Sequence, residues 1–242
     1  MVNISVIIPC KNEAENIVTL VEGIDRAMTP LAPFEIIVVD DGSTDATAAI
    51  LADRARTMPH LRLIRHDRSG GQSAGVHTGV RAALAPVCCT LDGDGQNPPE
   101  ELPKLVAPIL ADATGLVGLV AGQRVGRQDT WSKKIASRFA NRIRAWVLRD
   151  NTRDTGCGLM AFRREDFLAL PYFDHMHRYL PALFARDGWL IAHVDVSHRP
   201  RGAGRSNYSN IQRALVGVVD LAGVAWLLRR RKKARPLPEA KP

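Results

Sequence analysis

Aromatic side chains are scarce in this chain: Phe, Trp and Tyr together make up 5% of its 242 residues. They are not interleaved with the basic runs, so the sequence lacks the stacking platforms of single-strand nucleic-acid binders. Cysteine is also rare. Cys10, Cys88, Cys89 and Cys157 form no C-x-x-C pair, which argues against a redox motif or zinc site and for free thiols in a reducing compartment. No apolar run reaches the ~18 residues expected of a transmembrane helix. Met1 leads directly into the apolar residues 4–8 without a basic leader, so no signal peptide is expected.

What the chain does have is enough apolar residues for a sizeable core, 45%, and a formal net charge of +8. Global disorder is therefore not expected, and the charge calls for an anionic partner. The basic residues concentrate in 124–149 and 199–235.

Residues 4–8 are β-branched and apolar, and Pro9 ends them as a buried strand of a parallel sheet. Asn12 to Asn16 opens a helix to about Met28. A second strand covers 34–39, and Ser43 or Thr44 caps a helix to about Thr57. A third strand at 61–65 precedes a helix that follows Gly70-Gly71. A fourth strand at 87–91 precedes a helix starting at Pro99. This alternation predicts a doubly wound sheet, whose ligands bind beyond the carboxyl ends of the strands.

The chemically suggestive residues fall at those ends. Foremost are Asp92, Asp94 and Gln96, a D-x-D-x-Q on a Gly-containing turn. Three oxygen-bearing side chains at alternate positions suit Mg²⁺ or Mn²⁺ shared with substrate phosphates. Asp, Gly and Pro are equally the ingredients of a solvated turn.

Beyond Gly122 the rhythm changes. Residues 132–149 read as a basic amphipathic helix, suited to a membrane surface or to packing on the sheet. Residues 211–228 are largely apolar and run into Arg229-Arg-Arg-Lys-Lys233. That pattern suits an in-plane helix with a basic cluster on anionic lipid, or a core helix with a basic tail.

Taken together, Val38-Val-Asp-Asp-Gly-Ser-Thr-Asp45 and Leu91-Asp-Gly-Asp-Gly-Gln-Asn-Pro-Pro-Glu100 resemble family 2 glycosyltransferases, in particular the polyprenyl-phosphate branch typified by dolichol-phosphate mannose synthase. The likeness extends through Gly122-Gln-Arg124, Asp154-x-x-x-Gly158 and Arg201-x-x-Gly204-x-Ser206. It implies a GT-A fold: α/β, a Rossmann-like doubly wound mixed sheet over 1–209. An interfacial helix with its basic cluster (210–233) and a disordered tail (234–242) would follow.

The resemblance also implies roles. Pro9, Asn12, Glu13, Asp40, Asp41, Gly70, Gln72, Asp92 and Arg124 would bind the nucleotide-sugar. Asp92, Asp94 and Gln96 would hold the metal. Arg124, Lys133, Ser137, Arg201 and Ser206 would face an acceptor phosphate, with Asp94, Lys133 and Arg201 central to catalysis. Two departures stand out. Asn207 replaces a usual Lys, and Gly93 and Gly95 are expected to loosen the metal loop.

Family members acting on hydroxyls carry a Glu-Asp base at a late helix. Here that stretch reads His175-Met-His-Arg-Tyr-Leu-Pro-Ala-Leu183. A phosphate acceptor is already ionised and needs no base. The expected substrates are thus a UDP- or GDP-linked sugar and a polyprenyl monophosphate, used at the cytoplasmic face of the membrane. A hydroxyl acceptor is the alternative. A nucleotidyltransferase would show a Gly-rich basic loop after the first strand, and Pro9-Cys-Lys-Asn-Glu13 does not. A homo-oligomer is compatible with the sequence.

Overall fold

The computed structural model describes residues 2–125, 148, 152, 156–199 and 210–230. Seven strands form one sheet: β1 (Ile4–Cys10), β2 (Phe34–Asp40), β3 (Leu61–Arg65), β4 (Val87–Thr90), β5 (Val117–Arg124), β6 (Met160–Arg163) and β7 (Leu190–Val196). Their order is β3-β2-β1-β4-β6-β5-β7. Only β6 runs antiparallel to its neighbours.

Side chains alternate across a strand, and β1 is buried on both faces. Ile4, Val6, Ile8 and Cys10 enter one core with α1 (Ile17–Met28), α2 (Thr47–Thr57) and α4 (Leu102–Leu110). Ile7 enters the other, with α3 (Gly71–Ala82), α5 (Arg164–Leu168), α6 (Leu180–Arg186) and α7 (Asn210–Arg229). Double burial explains why the strands read as unbroken apolar runs.

Several boundaries differ from the sequence reading. Pro9 does not end β1, which continues to Cys10. The β1–β4 ladder stops at Ile7↔Thr90, and Cys10 O accepts from Asp41 N on the β2 side. Alternation therefore turns the ring nitrogen of Pro9 toward the side where β4 has ended, so no ladder bond is lost. Helix α1 begins only at Ile17, because Asn12 adopts a left-handed conformation (φ 56°) and residues 13–16 form a turn. Neither Ser43 nor Thr44 caps α2. Ser43 Oγ accepts from Asn12 N, and Thr44 N donates to Asn12 Oδ1. Asp45 Oδ1 accepts the Thr47 N–H at the start of α2 instead.

The basic helix expected over 132–149 lies outside the described residues, apart from the buried Leu148. Over 217–228 both faces of helix α7 are apolar apart from Asp220. Leu221, Val224 and Leu228 pack on the second core, while Val218, Val219, Ala222, Gly223 and Trp226 are exposed along the opposite side. Among the described residues no helix is long and apolar enough to cross a membrane.

Candidate active site

The turns after β1 and β2 are stitched into one rim. Besides the Asn12 bonds, Glu13 N donates to Thr47 Oγ1 and Ala14 N to Asp45 Oδ2. Asn16 Nδ2 donates to Glu13 Oε2 at 2.8 Å. Asp40, at the end of β2, is fully buried; it accepts Ser43 N at 2.9 Å and Arg65 Nε at 3.3 Å. Pro9, Asn12, Glu13 and Asp40 thus lie together at the carboxyl ends of β1 and β2.

Asp41 has a different role from the expected nucleotide contact. It accepts from His66 Nδ1 at 2.7 Å, Ser69 Oγ at 2.7 Å, Gly70 N at 2.8 Å and Gly71 N at 2.9 Å. Four donors fill the acceptor sites of a carboxylate, and against the opposing effect of burial all four hold it below the usual carboxylate range. Asp41 therefore fixes the entry to α3. That entry delivers Gln72, whose Nε2 donates to Asp92 Oδ1 at 2.6 Å. Helix α3 can lie close to β1 because Gly75 and Gly79 face it: a Cβ at Gly75 would stand 2.8 Å from Pro9 Cβ.

Asp92 follows β4 after Leu91. Its other oxygen accepts Asn97 Nδ2 at 3.2 Å. Burial, then the charge of Asp94, pushes its carboxyl up to about 6, against Asn97, Arg124 and Gln72. Arg124, the last residue of β5, is thus electrostatically coupled to Asp92. Asp94 Oδ1 accepts Gln96 N at 3.1 Å. The two glycines of this loop do not loosen it. A Cβ on Gly93 would meet Cys10 Cβ at 2.7 Å, and Gly95 holds a left-handed φ of 71°. The far end is clamped by the segment after β7: Arg199 N donates to Gln96 O at 2.9 Å, and Ser197 Oγ to Glu101 Oε1 at 2.7 Å.

Two oxygen carboxylates that repel one another, with a side-chain amide nearby, suit a hard divalent cation. Among the described residues no group of three or more His, Cys, Asp or Glu side chains could hold a metal alone. An ion on Asp92 and Asp94 would thus need Gln96, water or substrate oxygens to complete its shell, the usual habit of Mg²⁺ beside phosphates.

Sequence reasoning missed three residues here. Asn97 is buried and holds Asp92, though it sat unassigned inside the quoted motif. Gly158 abuts Asp92, and its carbonyl accepts Thr90 Oγ1 at 2.8 Å. Ser73 binds His177: Oγ accepts the backbone N–H at 3.3 Å and lies 2.8 Å from Nδ1. With one proton and two lone pairs, the Ser73 hydroxyl can meet either tautomer of the His177 ring. Burial, with Arg178 and His175, pushes His177 down to about 3. Pro9, Gln72, Asp92, Gly158, Met160 and His177 border a cavity of about 20 Å³.

Lys133, Ser137, Arg201 and Ser206 lie outside the described residues. The four cysteines are buried, and burial pushes Cys10 and Cys88 to about 12.

The chain is similar to known proteins. Undecaprenyl-phosphate 4-deoxy-4-formamido-L-arabinose transferase from Pectobacterium carotovorum subsp. carotovorum (strain PC1) is 35% identical over 209 residues, covering 86% of this chain and 63% of the relative. The Enterobacter sp. (strain 638) protein of the same name is 36% identical over 208 residues, 85% of this chain and 62% of the relative. The chain therefore spans just under two thirds of the length of these relatives.

Glucosyl-3-phosphoglycerate synthase from Mycobacterium tuberculosis, solved with uridine diphosphate, superposes with a TM-score of 0.68 at 22% identity, over 93% of this chain and 80% of that one. Its complex with Mn²⁺, uridine diphosphate and phosphoglyceric acid gives 0.68 at 19% identity, over 96% and 80%. These likenesses establish the GT-A fold. The family model for glycosyl transferase family 2 matches residues 5–170, the stretch that carries β1 to β6 and every described side chain of the Asp92 cluster except His177. The chain belongs to glycosyl transferase family 2.

Proposed function

We propose that this protein transfers a sugar, with inversion, from a nucleoside-diphosphate sugar to a polyprenyl monophosphate, using Mg²⁺ or Mn²⁺. The observation that carries the acceptor class is His177. It stands beside Asp92 at the late position where a hydroxyl acceptor would need a base, yet its basicity is lowered to about 3. An imidazole so weakly basic is poorly matched to proton abstraction near neutral pH. A phosphate monoester needs none. The names of the relatives, which act on undecaprenyl phosphate, point the same way.

In this reading Pro9, Glu13 and Asp40 border the nucleoside. Asp92, Asp94 and Gln96 would hold the metal near the diphosphate. The bound ion supplies charge neutralisation to the leaving nucleoside diphosphate. Gln72 and Asn97 keep Asp92 oriented, in the manner of outer-shell partners. Arg124 faces the phosphates, and by resemblance Lys133, Ser137, Arg201 and Ser206 gather around the acceptor. Guanidinium groups suit bidentate phosphate contacts. Rate would come from orientation and charge neutralisation.

The apolar stripe of α7 and the basic run that follows give the protein a place to rest on an anionic membrane surface, where its lipid acceptor resides. In domain terms, 1–209 is the transferase unit and 210–233 the membrane-facing appendage.

The test uses purified protein, undecaprenyl phosphate in vesicles, Mn²⁺ and a panel of UDP- and GDP-sugars. The expected product is a lipid-phosphate sugar cleaved by mild acid. An acid-stable glycoside on a hydroxyl would overturn the acceptor assignment.

One observation favours that second reading. The Asp174 carboxylate stands beside the start of α3, 3.7 Å from where a Cβ on Gly71 would lie, and could serve a hydroxyl acceptor as base.

A further inference from the structure

Asp220 is the only acidic residue between 210 and 230, and it does not lie on the exposed stripe of α7. Its side chain is 17% exposed, on the face that carries Leu221 and Val224 into the second core. A carboxylate in such a place is costly unless an opposite partner meets it. The partner is His175, with Nδ1 3.0 Å from Asp220 Oδ2. Oδ2 makes no well-directed hydrogen bond, so the contact is electrostatic.

His175 is itself unusual. Its φ of 64° makes it one of two non-glycine residues with positive φ among those described. Such conformations persist where the surroundings over-determine them, and they gather at functional sites. Here Asp174 Oδ1 accepts His175 N at 2.8 Å, and Arg178 N donates to His175 O at 3.0 Å. The His175 ring also stands 3.7 Å from Asp174 Oδ2.

Two residues on, the same turn presents both its backbone N–H and its imidazole to Ser73, through His177. Ser73 follows Gln72, which grips Asp92. A second tie, Tyr179 Oη to Gly217 O at 3.4 Å, joins α7 to the end of this turn. A continuous set of contacts thus runs from the C-terminal helix to the carboxylate next to β4.

We propose that Asp220 is a positioning residue of the donor site: acting from α7 through His175, it sets the turn that seats His177 on Ser73 and so keeps Gln72 against Asp92. The inference rests on the reading of Asp92 as part of the donor and metal site. It adds that the helix assigned to the membrane surface is also a structural member of that site, so the two are mechanically joined.

The test measures binding of Mn²⁺ with UDP, and in parallel with GDP, to the full chain by calorimetry, alongside thermal melts. Asp220→Leu removes the charge and keeps an apolar helix face. His175→Gly removes the imidazole and accepts the left-handed φ without strain. Each variant is expected to weaken nucleotide–metal binding roughly tenfold, the lower end for outer-shell partners. Asp220→Leu should melt no lower than the parent, since an apolar replacement of a buried charge is commonly neutral or stabilising. The double variant should be no weaker than either single, because both break one chain of contacts. His175→Asn tolerates the left-handed φ and can donate to Asp220, so it should stay within about twofold of the parent. Parent-like binding by Asp220→Leu and His175→Gly would overturn the inference and leave the donor site standing. Failure of the parent to bind either nucleotide with Mn²⁺ would overturn both.

Discussion

Gly158 and Asp92 compete for one space: a Cβ on Gly158 would fall on the Asp92 carboxylate itself. Gly158→Ala should therefore force Asp92 off Gln72 and Asn97 while leaving the strand that follows intact. Mn²⁺ affinity should fall about 10- to 100-fold, the usual cost of misorienting a ligand, with little change in melting temperature. Adding Asp92→Ala should cost nothing more, because the same interaction is already lost. Unchanged Mn²⁺ affinity in Gly158→Ala would remove Asp92 from the metal site.

Asp92 also sets a pH dependence. Its carboxyl is raised to about 6 by burial and by Asp94. A carboxyl raised in the folded state binds more protons there than in the unfolded chain, so the metal-free protein loses this group's stabilisation as pH rises from about 4 through 6. A cation reverses that loss above pH 6 and must displace a proton below it. The increase in melting temperature produced by Mn²⁺ should thus be largest near pH 7.5 and shrink steeply below 6. Apparent affinity should weaken toward about tenfold per pH unit there. Asp92→Asn should flatten the profile; a profile that stayed steep in that variant would assign it to another group.

Strands β1, β2 and β4 were legible because each is buried on both faces and so reads as an apolar run between turn residues; β7 is half-buried or exposed except at Val196 and gives no such run. The order of β6, between β4 and β5, was not legible. It depends on an antiparallel insertion that no local pattern encodes. The metal loop was legible from residue types at alternate positions. Its neighbours were less so: Asn97, Ser73 and Gly158 act through distances set by the fold, with sequence separations of 5, 104 and 68 residues in the bonds they make. At Asp41 a carboxylate at a strand end looks like a ligand group. Only the packing reveals that His66, Ser69, Gly70 and Gly71 already fill it.

The acceptor class can be tested on Asp174. If the acceptor is a phosphate, Asp174 has no proton to remove. Asp174→Ala should then keep kcat within about threefold, with any loss arising from the turn it caps at His175 N. If the acceptor is a hydroxyl, the loss of a general base should cost about 10²- to 10⁴-fold in kcat. Steady-state rates on whichever acceptor the parent turns over, undecaprenyl phosphate or the hydroxyl of a saccharide or glycolipid, distinguish the two. A loss beyond a hundredfold with unchanged nucleotide affinity would move the acceptor to a hydroxyl.

The outer stripe of α7 makes the membrane assignment testable apart from the chemistry. Val218, Val219 and Trp226 are 68%, 71% and 60% exposed, and Arg230 stands 5.7 Å over the Trp226 ring at the basic end. An apolar face that ends in cations matches the depth profile of an anionic bilayer surface, with each basic residue adding about 1 kcal/mol. Each large apolar side chain that leaves water adds about 2 kcal/mol. Val219→Glu with Trp226→Glu should therefore abolish co-flotation with anionic vesicles. Nucleotide–Mn²⁺ binding in solution should be unchanged, since both side chains point away from Asp220. Raised salt should weaken binding of the parent through screening of its basic run. Equal recovery of parent and double variant on vesicles would show that α7 serves the domain alone, and that the acceptor lipid is reached by another surface.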